Sequence, residues 1–173
     1  MALRKILLHP DPRLKKKCEP VTAIDDEMRV LMQDMLETMY QAPGIGLAAP
    51  QIGILKRILV MDTVKEEEGK PQPYMMANPE IIWASEELNT YEEGCLSIPE
   101  EYADVQRPEK VRVRYLDQNG ESQELDCDGL LATCVQHEID HLDGKLFIDY
   151  LGPVKRSMIT GRMKKRKKER AIA

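Results

Sequence analysis

Aromatic side chains are scarce in this chain. One Phe, one Trp and six Tyr are spread over 173 residues, so a core must be filled by Leu, Ile, Val and the ten Met. No run approaches the ~18 apolar residues of a membrane-spanning helix, and no membrane partner is expected. Near the start, the longest low-charge apolar run is Ile6-Leu7-Leu8, too short for the hydrophobic region of a secretory signal. A cytoplasmic, reducing location is therefore expected. There Cys18, Cys95, Cys127 and Cys134 read as buried, catalytic or metal-bound thiols rather than disulfides. No internal repeat or Gly-Ser linker divides the chain, and 42% apolar residues suffice for one core of ordinary domain size. One domain is expected. No heptad or long apolar edge points to an obligate dimer, so a monomer is expected as well.

What is present is unevenly charged. The net charge of −5 hides a +8 block from Lys155 to Ala173, where nine Lys/Arg face one acid, Glu169. The preceding 154 residues carry 16 basic and 29 acidic groups, or −13. Such a split concerns partners rather than fold. It sets residues 1–154 apart as a body and 155–173 as a basic helix or tail of the same domain.

Local patterns give an outline of the fold. The Pro10-Asp11-Pro12 turn excludes a helix at the start and leaves a strand or extended arm. Met28, Leu31, Met32, Met35, Leu36 and Met39 recur on one helical face behind Asp25 and Asp26, which can cap it, and Pro43-Gly44 ends it. Met at this spacing reads as core filling. Residues 57–61 predict a buried strand, residues 65–73 a polar loop, and residues 74–83 a second strand broken at Asn78-Pro79. Val111, Val113 and Tyr115 alternate with Arg112 and Arg114 as in a half-exposed strand. Asn119-Gly120 then allows residues 122–126 to return antiparallel. A second helix is predicted from about Gly129 to Leu142, with Asp128 as a cap and Gly144 past its end. Strands clustered between helices indicate an α+β fold.

The chemistry concentrates in three segments. His137-Glu138-Ile139-Asp140-His141 lies on the second helix and uses two of the chain's three histidines. Residues four apart share one helical face, roughly 6 Å along the axis, so both imidazoles can meet one metal ion. Glu138 beside the first ligand is placed to act as general base. An open catalytic site needs a third ligand, yet no His follows His141, and the later acids are only Asp143, Asp149 and Glu169. That count speaks against an ordinary zinc peptidase. Cys134 has helical phase but lies roughly 10 Å of rise before His141, its side chain aimed towards the N-terminus, and reads as core. Cys95, in Glu93-Gly94-Cys95-Leu96-Ser97, is the best thiolate candidate. The third segment, Gly44 to Gly53, holds three glycines in ten residues. It reads either as a tight turn or as backbone pressed against a ligand. A phosphate loop is excluded, because neither GxGxxG nor a Lys-Ser/Thr ending is present.

Taken together, the three segments resemble the motifs of the peptide deformylases, GxGxAAxQ, EGCxS and QHExxH. Here these stand in the same order at Gly44 to Gln51, Glu93 to Ser97 and Gln136 to His141, and the resemblance extends over essentially the whole chain. It implies antiparallel sheets around a central metal-binding helix, with one further helix in the N-terminal half and another at the C-terminus. The implied activity is hydrolysis of the N-formyl group of nascent polypeptides. Cys95, His137 and His141 would bind one divalent ion, Fe(II) natively, with Zn, Ni or Co able to substitute. A metal-bound water would attack the formyl carbonyl while Glu138 serves as general acid/base.

The resemblance further implies that Gln51 and the Leu96 backbone N–H stabilise the oxyanion. Gly46 and Gly94 would contact the substrate backbone, and Ile45, Leu130 and Thr133 would line a methionine pocket. Thr133 and Tyr102 depart from the Ile and Arg common at the matching places in relatives. The expected partners are N-formylmethionyl peptides and, through the basic tail, the ribosome. Two other classes share part of this pattern. An endoprotease would share the helix motif but lacks its downstream ligand, and a closed structural metal site would not need Glu138.

Overall fold

The computed structural model describes residues 2–172. Residues 2–8 form an extended arm laid against the body, outside either sheet. Arg4 N–H donates to Thr38 Oγ1 at 2.9 Å, and Leu7 N–H donates to Gln51 O at 2.7 Å. Helix α1 (Asp26–Gln41) follows, and Asp25 caps it by accepting the Met28 N–H at 2.9 Å. All six apolar positions of its predicted face are buried.

The main sheet contains β1 (Gly46–Ala48), β2 (Ile58–Met61) and β3 (Tyr74–Ala84). Between β3 and the remaining two strands of that sheet, β4 (Leu88–Cys95) and β5 (Ile98–Pro108) form a separate long hairpin. The sheet is completed by β6 (Val111–Leu116) and β7 (Ser122–Cys127), in the spatial order β1-β2-β3-β6-β7, antiparallel throughout. Val111, Val113 and Tyr115 point into the core as their alternation predicts.

Three local expectations change. Asn78-Pro79 does not break the second strand; β3 runs through it with a register shift between Ala77 and Glu80. Asn78 takes φ 50° and its amide clasps both Val21 N–H and Val21 O at 2.8 Å. The bulge thus accommodates a proline that cannot donate to a ladder. The Gly-rich segment is not a mere turn, since Gly46–Ala48 pairs with Leu59–Met61 as an edge strand and a short 3-10 turn, Ala49–Ile52, follows. Asp128 precedes the second helix, α2 (Gly129–Leu142), but its side chain makes no capping bond, and Gly129 enters the helix at φ 54°.

Helix α2 is buried along most of its length, ten of its residues being closed to solvent. Its Ala132, Val135, Ile139 and Leu142 share a core cluster with β2, β3 and β6. The α1 face joins Leu47, Ile58 and Val60 in a second cluster. The hairpin rests on a third, in which Ile98 and Val105 meet Phe147, Leu14 and two residues of the last helix, Ile159 and Met163. That helix, α3 (Pro153–Ile172), begins just before the basic block. It does not stand free: Arg162 and Arg166 both clasp Glu101 of β5 at 2.7 Å. Within it, Ile159 and Met163 are buried while Met158 faces solvent. No helix among the described residues is long and apolar enough to cross a membrane.

Candidate active site

Residues 137 and 141 are one helical turn apart on α2, so their imidazoles converge, with Nε2 atoms 3.3 Å from each other. The hairpin supplies the third donor. Cys95 pairs with Ile98 across a two-residue turn, Leu96-Ser97, and this turn carries the thiol to 3.4 Å from His141 Nε2. The donor atoms of Cys95, His137 and His141 all lie within 4.8 Å of one another. Bonds of ~2.0–2.1 Å to nitrogen and ~2.3 Å to sulfur imply tetrahedral edges near 3.3–3.6 Å, close to the two spacings found. The donor set therefore fits a divalent ion. Which metal it takes is not fixed by one thiolate and two imidazoles. Among the described residues no other cluster of potential ligands forms. Cys134 stays out of this one, its Sγ bonded to Ile45 O at 3.5 Å.

A buried charge network orients the first imidazole. Glu93 Oε1 bonds His137 Nδ1 at 2.9 Å, which leaves Nε2 facing Cys95 and His141. Arg107 holds Glu93 with two bonds, Nε to Oε2 at 2.6 Å and Nη2 to Oε1 at 2.8 Å. Its remaining nitrogen, Nη1, reaches Asp140 Oδ2 at 2.8 Å, where Tyr150 OH also donates, at 2.7 Å. Burial alone would raise the Glu93 carboxyl, but the Arg107 and His137 bonds hold it below its ordinary range. Phe147 stacks on the His137 ring at 6.1 Å between centroids.

Glu138 is buried beside His137, with Oε2 3.9 Å from His137 Nε2. Burial pushes its carboxyl up to about 7, with His137 pulling down and Glu93 pushing up. Its Oε1 has no partner among the described residues, nor has His141 Nδ1. An unsatisfied buried carboxylate oxygen is costly unless it serves a ligand or a reaction. Gly46 is the residue that makes room for it, because a Cβ there would lie 2.5 Å from Glu138 Oε2 and 2.9 Å from Cys134 Sγ. Gln51 is pinned on both sides. Its Oε1 accepts Ala48 N–H at 2.9 Å, while Nε2 donates to Ser97 Oγ at 3.0 Å and approaches Cys95 Sγ at 3.5 Å.

These residues open on a cleft of about 1120 Å³, whose walls include Gly44, Ile45, Gly46, Gln51, Gly94, Cys95, Leu96, Tyr102, His137 and Glu138. Its solvent-facing rim reaches the N-terminal arm, β5 and Lys167 of α3. The family model of polypeptide deformylase matches residues 3–157. The chain belongs to the polypeptide deformylase family. Members of this family are hydrolases. The peptide deformylase of Methylocella silvestris is 58% identical over 167 residues, covering 95% of this chain and 85% of that one. That of Phenylobacterium zucineum is 56% identical over 168 residues, 97% and 99% of the two chains. A peptide deformylase from Ehrlichia chaffeensis, solved in complex with actinonin, superposes with a TM-score of 0.91 at 44% identity over 96% of this chain and 98% of its own.

Of the residues singled out in the sequence as deformylase site residues, nine meet at the cleft: Ile45, Gly46, Gln51, Gly94, Cys95, Leu96, His137 and Glu138 on its walls, with His141 behind them. Leu130, half-buried, and Thr133, buried, lie seven and four residues before His137 on α2 and are not among the residues that line the cleft. Tyr102 does line it, its ring laid over Gly94, where a Cβ would come within 2.7 Å of Cε1. Sequence reasoning missed Arg107, Ser97, Asp140 and the role of Glu93. Glu93 had a signal, an acid inside a Gly-Cys motif. Arg107 had none, because a cation on a strand of alternating polarity reads as solvent-facing.

Proposed function

We propose that the chain removes the formyl group from the N-terminal formylmethionine of nascent polypeptides, releasing formate. The observation that carries this reading is the meeting of a Cys-His-His donor set with an unpartnered, buried Glu138 oxygen in one cleft. Cys95, His137 and His141 would hold the ion, Fe(II) by resemblance to relatives, with Zn, Ni or Co suited to the same donors. When bound, a divalent ion there lowers the pKa of a water and polarises a carbonyl as a Lewis acid. Glu138, whose Oε2 lies 3.9 Å from His137 Nε2, takes the proton of the attacking water and delivers it to the departing amine. Gln51, braced by Ser97 and Ala48, and the Leu96 backbone N–H at the hairpin turn offer donors to the oxygen that gains charge.

The substrate backbone has a natural partner. β1 is an edge strand, so Gly46 can hydrogen-bond an extended peptide laid beside it. Ile45, 39% exposed at the cleft wall, and the aliphatic side of His137 suit the methionine side chain. Gly94 leaves the space that Tyr102 occupies on the peptide side. The reading extends to the tail. Lys155, Arg156, Lys164, Lys165 and Lys168 are exposed, with no ion pair among the described residues, and phosphate contact with the ribosome suits them. The whole chain would work as one cytoplasmic monomer, residues 1–154 as catalytic body and 155–173 as docking helix.

The test is anaerobic purification, metal analysis and formate release from formyl-Met-Ala-Ser, with the unformylated peptide in parallel. Stoichiometric metal and formate from the first peptide alone are expected. Cleavage of the unformylated peptide at an internal bond would replace this reading with an endoprotease.

A further inference from the structure

The cleft is larger than the reacting group needs. Ordinary small-molecule pockets run ~300–1,000 Å³, and this one, at about 1120 Å³, continues past the metal ligands to a charged outer rim. Six charged residues stand on that rim: Lys5, Asp11, Arg13, Glu100, Glu101 and Lys167. Four of them are already neutralised. Asp11 accepts Arg13 Nη2 at 2.8 Å. Glu101 is clasped by Arg162 and Arg166, and Glu100 lies 3.6 Å from Arg166. Lys5 and Lys167 are left, exposed and with no ion pair among the described residues.

Both lysines ride on anchored backbone. Arg4, the neighbour of Lys5, is fixed to α1 through Thr38 Oγ1 and through Asp34 at 2.9 Å, and Leu7 is fixed to Gln51 O. Arg166, the neighbour of Lys167, bonds Pro99 O at 3.1 Å as well as Glu101. His9 and Thr160, 2.9 Å apart, further tie the arm's end to α3. The two cations are therefore carried by different elements yet held over one opening.

We propose that Lys5 and Lys167 make the outer cleft selective for acidic side chains downstream of the formylated methionine. The C-terminal helix is then part of peptide recognition rather than only a docking appendage. This rests on the deformylase reading above, which supplies the chemistry that the selectivity acts upon. An approaching glutamate gains attraction from both cations in a partly enclosed space, and a lysine is repelled by both. Exposed pairs are individually weak and salt-sensitive, so the effect is a graded preference.

The test uses the full-length, metal-loaded enzyme and three C-terminally amidated peptides, formyl-Met-Ala-Xaa-Xaa with Xaa as Glu, Gln or Lys. Formate release gives kcat/KM for each. At low ionic strength the order Glu, Gln, Lys is expected, each lysine of the enzyme contributing about two- to fivefold to the Glu-to-Lys ratio. The ratio should contract towards one in 0.5 M salt. Lys5→Glu with Lys167→Glu should invert it, Lys5→Gln with Lys167→Gln should flatten it, and Lys56→Glu, exposed and outside the cleft, should leave it as in the parent. Equal kcat/KM for all three peptides overturns the charge preference alone. A shift with Lys56→Glu as large as that with the cleft pair overturns the assignment to Lys5 and Lys167. Failure to release formate from any of the three overturns the deformylase reading itself.

Discussion

Replacing Arg107 by Met tests whether the buried ion network is what keeps His137 in place. Arg107 is only 4% exposed, and the change removes its two bonds to Glu93 and its bond to Asp140 while keeping most of the side-chain volume. Glu93, 5% exposed, would keep one partner, His137 Nδ1. Breaking one side of a buried pair costs about 3–5 kcal/mol, because the other charge stays behind uncompensated. In a chain of this size each kcal/mol lowers Tm by about 2–4 °C, so a fall of about 6–20 °C is expected in thermal unfolding of the metal-loaded protein. Metal should also leave faster, since Glu93 is freed to rotate away from His137. The cause is separable from lost packing by a double-mutant cycle. If the penalty is a stranded carboxylate, Glu93→Gln in the Arg107→Met background should recover stability, and the pair should fall short of the summed single effects by about 1–3 kcal/mol. A loss below about 1 kcal/mol for Arg107→Met, or strict additivity in the double variant, refutes this account.

Glu138→Ala should retain metal but lose formate release by several orders of magnitude, read by metal analysis and turnover of the same sample; near-normal turnover would remove Glu138 as the proton carrier. Cys95→Ser should strip or strongly weaken the metal site, whereas Cys134→Ser should keep metal and lower stability only, and the reverse result would overturn the ligand assignment. Gly46→Ala places a methyl 2.5 Å from a Glu138 oxygen; overpacking of this kind costs about 1–3 kcal/mol, and Tm together with kcat should fall. Glu101 is held below the ordinary carboxylate range chiefly by its bond to Arg162. Its contribution is therefore complete above the unfolded value of ~4.3 and is lost as pH falls through the depressed folded value. Glu101→Gln should lower stability at neutral pH and merge with the parent at low pH; a difference constant down to pH 2 would refute the linkage. Deleting residues after Gly161 should weaken ribosome binding, measured by co-sedimentation at several salt concentrations. It should also lower Tm, since buried Met163 and both arginines of the Glu101 clasp are removed.

The parts of this molecule legible in sequence are those governed by short-range periodicity. Helix α1 announces itself through six apolar residues on one face, and α2 through a His pair at the spacing of one turn. What could not be read depends on contacts distant in sequence. The β4–β5 hairpin carries many charged residues and no strong turn signal at Leu96-Ser97, so its strands had no pattern to betray them. Arg107 is 14 residues from Glu93 and 33 from Asp140, and nothing local distinguishes it from the solvated arginines of β6. Asn78-Pro79 misled because the rule that proline ends strands is local. The compensating partner, Val21, lies 57 residues away.

The basic tail illustrates the same limit from the opposite side. Read as charge alone, residues 155–173 form a block of +8 whose cations repel one another. The folded chain uses part of that charge internally. Two of the arginines bind Glu101, and Arg166 also bonds a carbonyl of β5, while Ile159 and Met163 supply the buried surface that pays for ordering the helix. That docking is what brings Lys167 to the cleft rim. A helix attached only by its first turn, residues 153–156, could not hold Lys167, 11 residues further on, at a fixed opening. The Glu101 clasp is therefore the feature on which a joint role of the tail depends. Loosening it should weaken the discrimination between acidic and basic peptides before it affects the chemistry at Cys95, His137 and His141.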